Sequence, residues 1–282
     1  MKNKIKTYLK HPGSLVMFLF TNAAALITAL TLGFIVVYIL VRGIPYLTPE
    51  LFKWEYNSDN VSMLPSIVNT LLITALALLI AAPLGIFAAI YMVEYAKKGN
   101  KIVAVVRVTA ETLSGIPSIV YGLFGMLFFV GYCNLQLSLL SGSLTVAIMV
   151  LPTIMRTTEE ALLAIPQSYR EGSFGLGAGK LRTVFKVVLP SAVPGILSGI
   201  ILSIGRIVGE TAALIYTAGT VAQMPENIFS SARTLSVHMY MLSGEGFYTN
   251  QAFATAVILL VMVIIINMLS NFAASKLTAK KV

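Results

Sequence analysis

Residues 170–190 read Arg-Glu-Gly-Ser-Phe-Gly-Leu-Gly-Ala-Gly-Lys-Leu-Arg-Thr-Val-Phe-Lys-Val-Val-Leu-Pro, and their reading decides the fold. The segment is polar, basic and punctuated by Gly172, Gly175, Gly177 and Gly179, while apolar runs flank it on both sides. Such a stretch is either a solvated connector or a short helix that turns at its glycines and offers a face to a partner.

Outward from this segment, six apolar runs reach or approach the roughly 17–25 residues a membrane-spanning helix needs. They cover 14–41, 67–91, 116–133, 139–155, 192–217 and 252–272. Strands with open edges would leave backbone groups unpaired in lipid, so the runs are expected to be helices. Composition agrees: of 282 residues 57% are hydrophobic and 11% charged, against about 25% charged in soluble proteins. Mean hydropathy is +0.86. The fold expected is all-α and polytopic, with six transmembrane helices. The first run is far longer than the roughly 7–15 residues of a signal-peptide core and reads as a span. A single cysteine, Cys133, excludes an intrachain disulfide and argues against a Cys-based metal site.

The net charge of +9 is not a nucleic-acid signal, because the basic residues sit at segment ends. Sixteen of the 20 fall on one side, in the N-terminal segment (Lys2, Lys4, Lys6, Lys10), after span 2 (Lys97, Lys98, Lys101, Arg107), between spans 4 and 5 (Arg156, Arg170, Lys180, Arg182, Lys186) and in the tail (Lys276, Lys280, Lys281). Positive charge collects in the cytoplasm, so both termini are expected there. Arg42, Lys53 and Arg233 face outward, the last as a solvated loop residue. Arg206 remains inside span 5.

Span 5, read as one helix over 192–217, places Gly199, Ser203, Arg206, Glu210, Ala213 and Thr217 on one face. A lone charge at mid-membrane costs at least about 2.5–3.5 kcal/mol, so this face belongs in the bundle interior. One reading pairs Arg206 with Glu210 at i,i+4 to lock packing. The other makes an anion path, in which the planar guanidinium of Arg206 takes oxyanion oxygens and Glu210 neutralises it when substrate is absent. Ser203, Thr211 and Arg156 complete the expected path. Arg156 is expected to close span 4, and Arg107 and Glu111 to form another i,i+4 pair. The small residues of 115–125 read as helix packing, with Pro117 kinking the entry to span 3.

Glu171-Gly172-Ser173, three residues, Gly177, nine residues, then Val187-Val188-Leu189-Pro190 resembles the EAA motif of ABC importer permeases, with both alanines and the isoleucine replaced conservatively. Gly175-Leu176-Gly177-Ala178-Gly179-Lys180 only mimics a Walker A loop: the required first glycine is Phe174 and the required Ser or Thr is Leu181. No ATP is therefore expected on this chain. Ser114-Gly-Ile-Pro-Ser-Ile-Val-Tyr-Gly-Leu-Phe-Gly125, Leu151-Pro-Thr-Ile-Met-Arg-Thr-Thr-Glu-Glu160 and Ile204-Gly-Arg-Ile-Val-Gly-Glu-Thr-Ala212 are similar to the phosphate ABC importer permeases. Met224-Pro225 and Arg233-Thr-Leu-Ser-Val-His-Met-Tyr240 bring the resemblance to the PstA type.

That resemblance covers about 65–272. It implies a type I ABC importer permease fold, in which 65–272 form the permease domain. Residues 1–64 supply the N-terminal tail, first helix and outer loop, and 273–282 a basic cytoplasmic tail. It further implies a non-ATPase subunit paired with a PstC-like permease, two PstB-like ATPases that bind ATP and Mg, and a PstS-like phosphate-binding protein. Phosphate is then the cargo, and Glu171, Gly172, Ser173, Gly177, Leu189 and Pro190 form the ATPase-coupling segment. No cofactor or metal is expected on the chain itself. The alternatives are a permease for another oxyanion such as sulfate, a membrane sensor component, or a stand-alone secondary anion carrier or channel, which would have no use for an EAA-like loop.

Overall fold

The computed structural model describes residues 12–97 and 99–279. The basic residues Lys2, Lys4, Lys6, Lys10, Lys98, Lys280 and Lys281 lie outside the described residues. In chain order the helices are α1 (Pro12–Gly43), α2 (Leu64–Ile90), α3 (Lys101–Ser114), α4 (Ser118–Gly125), α5 (Leu139–Leu163), α6 (Gln167–Gly175), α7 (Lys180–Thr183), α8 (Leu189–Val208), α9 (Ala212–Thr217), α10 (Leu235–Glu245) and α11 (Thr249–Ala279). Three wide π turns extend them: Tyr91–Tyr95 follows α2, Met126–Tyr132 follows α4, and Val184–Val188 joins α7 to α8. No strand occurs among the described residues.

Five helices are long and apolar enough to cross a membrane, and the remaining apolar stretch is a sharply bent pair, α3 with α4. The runs at 14–41, 67–91 and 252–272 agree with α1, α2 and α11 to within a turn or two. The third run needs correcting. α4 and its π turn span only 118–132, about 22 Å of rise, short of a hydrocarbon core of about 30 Å. It joins the amphipathic α3 at an angle of 105°. The cause is local: Gly115 ends α3, Pro117 cannot donate into a continuing ladder, and Pro117 becomes the N-cap of α4.

Span 4 does not close at Arg156 but continues to Leu163, because Glu159 to Leu163 are good helix formers and Glu159 packs inward. Span 5 is corrected at both ends. It begins at Lys180, runs through the Val184–Val188 turn and stops at Val208. Gly205 and Gly209 weaken the helix there, and the chain breaks at Gly209–Thr211 before restarting as α9.

The central pair is α2 against α5, and α8 packs on both, chiefly on α5. Ile73, Ala77, Val146, Met149, Val150, Ile154, Ile207 and Leu214 build the middle of the core. A second cluster around Met92, Val103, Leu162, Val184 and Val188 fills the coupling-segment end, and a third around Leu51, Met63, Leu235 and Leu242 fills the opposite end. α5 and α8 approach closely: a Cβ on Gly195 would lie 2.5 Å from Ala161 Cβ, and one on Gly199 would strike the Thr157 hydroxyl. α1 packs along α11 and presents its remaining faces outward.

Candidate functional site

The helix break after α8 arises from two hydrogen bonds. Glu210 is buried, and its Oε1 accepts the Ala213 N–H at 3.0 Å, capping the first turn of α9. Its carbonyl accepts the Ser236 hydroxyl at 2.6 Å, pinning the start of α10 onto the break. The Leu235 N–H donates to Thr70 Oγ1 at 2.9 Å, which fastens the same loop to α2. Glu210 thus acts as a cap where sequence reasoning made it one turn of a continuous helix.

The expected pairing is corrected accordingly. Among the described residues Arg206 has no carboxylate within 4.0 Å, because the break carries Glu210 away into its capping role. Arg206 is half-buried near the end of α8. The Tyr121 hydroxyl donates to the Leu113 carbonyl at 2.8 Å, at the bend between α3 and α4. Ser203 is buried, but its hydroxyl bonds back to the Gly199 carbonyl at 2.9 Å. Thr211 borders a largely apolar cavity of about 640 Å³ between α1, α4, α9, α10 and α11. Gly199 of the small-residue stripe does face α5, as does Gly195, and a Cβ on Gly122 of α4 would lie 2.8 Å from Ala213 Cα. A Cβ on Gly115 would meet only the Thr112 carbonyl, at 3.5 Å, and this glycine serves the bend.

A second charged group lies toward the coupling end. Arg107 does not pair with Glu111 on its own helix. Its Nε donates to Glu159 Oε1 of α5 at 2.7 Å, and Glu159 is buried while Glu111 is exposed. Arg156 is exposed and pairs with Glu160 at 3.1 Å. These five side chains line a cavity of about 250 Å³. α5 runs antiparallel to α8 with Thr157 opposite Gly199, so Arg206, two turns beyond Gly199, sits about 10 Å along the bundle axis from the level of Arg156. This offset separates the two arginines, and no side chain joins them among the described residues.

Glu171, Gly172 and Ser173 lie on α6, and Gly177 follows it with φ +80°. Gly177 N–H bonds to Phe174 O at 2.9 Å and Ala178 N–H to Ser173 O at 3.1 Å, the paired closure of a Schellman turn with glycine at the left-handed position. The segment is therefore a helical hairpin, α6 against α7, tied by Ser173 Oγ to Thr183 Oγ1 at 2.8 Å. Leu189 and Pro190 start α8, half-buried behind it. Tyr169, Phe174, Leu176 and Leu181 are exposed on the hairpin, Leu176 at 91%.

Two groupings escaped sequence reasoning. Glu94 and Arg170 form a nearly buried ion pair across 76 residues, which no local spacing reveals. Arg233, expected in solvent, is buried. Its Nε donates to Thr220 O at 2.6 Å, its guanidinium lies 5.4 Å over the Tyr56 ring, and its Nη1 is 3.4 Å from His238 Nδ1. Burial first, and then the Arg233 charge, push the His238 pKa down to about 4, so this outer-loop imidazole is neutral near pH 7.

Residues 81–280 match the family described as binding-protein-dependent transport system inner membrane component. The chain is 31% identical over 280 residues to the probable ABC transporter permease protein YqgI of Bacillus subtilis, covering 93% of this chain and 95% of that one. It is 36% identical over 195 residues to the phosphate transport system permease protein PstA of Xylella fastidiosa, 68% of each chain. Among solved structures, a chain of a bacterial alginate ABC transporter superposes with a TM-score of 0.69 at 16% identity, over 96% of this chain and 98% of that one. The match over most of the length, the helical bundle and the EAA-like hairpin coincide, and the chain belongs to the binding-protein-dependent transport system inner membrane components as an ABC importer permease.

Proposed function

We propose that this permease conducts inorganic phosphate into the cytoplasm, driven by ATP hydrolysis on partner subunits. The observation that carries the reading is Arg206, a guanidinium inside the bundle with no carboxylate partner among the described residues. Such a charge is costly in a membrane interior unless something compensates it, and a tetrahedral oxyanion presents oxygens to its planar fork. Identity to relatives named phosphate permeases supports phosphate over sulfate.

In this reading an extracytoplasmic binding protein of PstS type delivers phosphate to the end of the bundle that holds Arg233 and Tyr56. Phosphate passes Arg206 and leaves beside Arg156 and Arg107. A PstC-like permease completes the path, and PstB-like ATPases carry ATP and Mg and engage the α6–α7 hairpin. Both termini are cytoplasmic, on the side of the sixteen basic residues. A stand-alone carrier would leave the hairpin unused.

Uptake of labelled phosphate by the complete assembly in vesicles tests this. Arg206→Gln is expected to abolish ATP-dependent uptake while insertion and assembly stay normal. Normal uptake by that variant, or phosphate entry without ATP or without the second permease chain, would sink the proposal.

A further inference from the structure

The end of α2 and the coupling hairpin are joined by more contacts than a passive connector needs. Arg170 on α6 directs Nε and Nη2 to Glu94 Oε1, at 3.0 and 2.6 Å. Its remaining donors reach the Ile165 carbonyl (Nη1, 2.9 Å) and the Leu162 carbonyl (Nη2, 3.0 Å) at the C-terminal end of α5. Carbonyls at a helix end lack the full set of intrahelical donors, although Leu162 O also accepts the Ile165 N–H at 3.4 Å. The side chains of Arg170 and Glu94 are only 11% and 8% exposed, so the charge-assisted bonds form out of water, where they are strong. The other arm of the hairpin touches the same turn: Lys180 Nζ of α7 lies 5.1 Å over the Tyr95 ring. Ser173 and Thr183 close the third side.

We infer that Arg170 is a transmission strut. It fastens the hairpin to the ends of α2 and α5, so that a displacement imposed on α6 moves both spans as one body. Arg170 touches neither the cargo path nor the exposed face of the hairpin; it is a positioning residue for coupled transport. The inference rests on the reading that the ATPase subunits engage this hairpin. Glu94 is the specific partner for α2, and the two carbonyls are the specific partners for α5. Loss of Glu94 alone should release α2 and leave α5 attached.

The test uses the full assembly in vesicles, with Arg170→Ala and Glu94→Gln. Three quantities are read: ATPase co-purification, ATP hydrolysed per phosphate imported, and the distance between spin labels at Leu79→Cys on α2 and Ser168→Cys on α6, in a Cys133→Ser background. In the parent protein this distance is expected to stay constant when the complex is trapped with ATP and vanadate. In both variants the ATPase is expected to stay bound, the distance to shift on trapping, and the ATP used per phosphate to rise about tenfold, within the range by which coupling residues act. Unchanged distance and unchanged coupling in both variants would overturn the strut. So would loss of the ATPase from both, which would make Arg170 part of the docking face. If the parent assembly hydrolyses ATP yet imports no phosphate, the cargo reading fails and the distance measurement alone decides the strut.

Discussion

Glu210 offers a separation of two roles that sequence alone merges. Its Oε1 accepts the Ala213 N–H at 3.0 Å in a buried setting. Glu210→Ala removes that acceptor and leaves the N–H without a partner. Loss of a cap costs about 1 kcal/mol, and an unmade buried hydrogen bond about 1–3 kcal/mol; these describe the same bond, so about 2 kcal/mol is expected in total. Glu210→Gln keeps a carbonyl oxygen of similar reach, and its stability cost should stay below about 1 kcal/mol. If the carboxylate charge also serves the anion path beside Arg206, both variants lose phosphate uptake while only the alanine variant loses stability. Thermal unfolding of the detergent-solubilised assembly, alongside vesicle uptake, reads the two effects separately. Equal destabilisation by Gln and Ala would refute the capping argument, since the charge rather than the acceptor would then hold the break. Full uptake by the Gln variant would leave Glu210 as a cap alone.

Gly177 holds φ +80° with open space around its Cβ position, so Gly177→Val strains only the backbone, by about 1–2 kcal/mol. ATPase co-purification should fall, with Gly177→Asn affected less; equal recovery of all three proteins would argue against the turn's role in docking. His238 has its pKa lowered from 6.5 to about 4 in the folded protein. The unfolded chain therefore binds more protons between those values, and its contribution is complete above about pH 6.5 and lost as pH falls toward 4. That loss is worth about 3 kcal/mol, and His238→Gln should flatten this part of the unfolding-temperature profile; an unchanged slope would exclude the imidazole as its source. Gly195→Ala places two methyl carbons 2.5 Å apart unless α5 and α8 separate, at a cost of about 1–3 kcal/mol. The double change Gly195→Ala with Ala161→Gly should recover most of it, and failure to recover would mean that the close approach lies elsewhere.

Spans 1, 2 and 6 were legible because nothing competes with lipid for a long run lacking charge, as in α1 and α11. Glycine and proline at 115–117 announced a kink, but a kink and a 105° turn look alike in sequence. The stop at Val208 was harder: Arg206, Glu210, Ala213 and Thr217 fit one helical face so well that periodicity favoured continuity. The tertiary bond from the Ser236 hydroxyl and the local one from the Ala213 N–H, both to Glu210, decide otherwise. Gly177 was readable because its backbone conformation is a local matter. Glu94 with Arg170, Arg107 with Glu159, and Arg233 with His238 were not readable, since each depends on which helix ends the topology brings together.

The wide turns at Tyr91–Tyr95 and Val184–Val188 both adjoin the hairpin. A π turn holds one residue more than the α-helix around it. The face that α7 turns toward α6 is therefore set out of phase with the face that α8 turns toward α5, and an unbroken helical wheel drawn over Lys180–Val208 misassigns one of the two. Moving the extra residue one position along the helix would shift the intervening segment by about 1.5 Å and rotate it by about 100°.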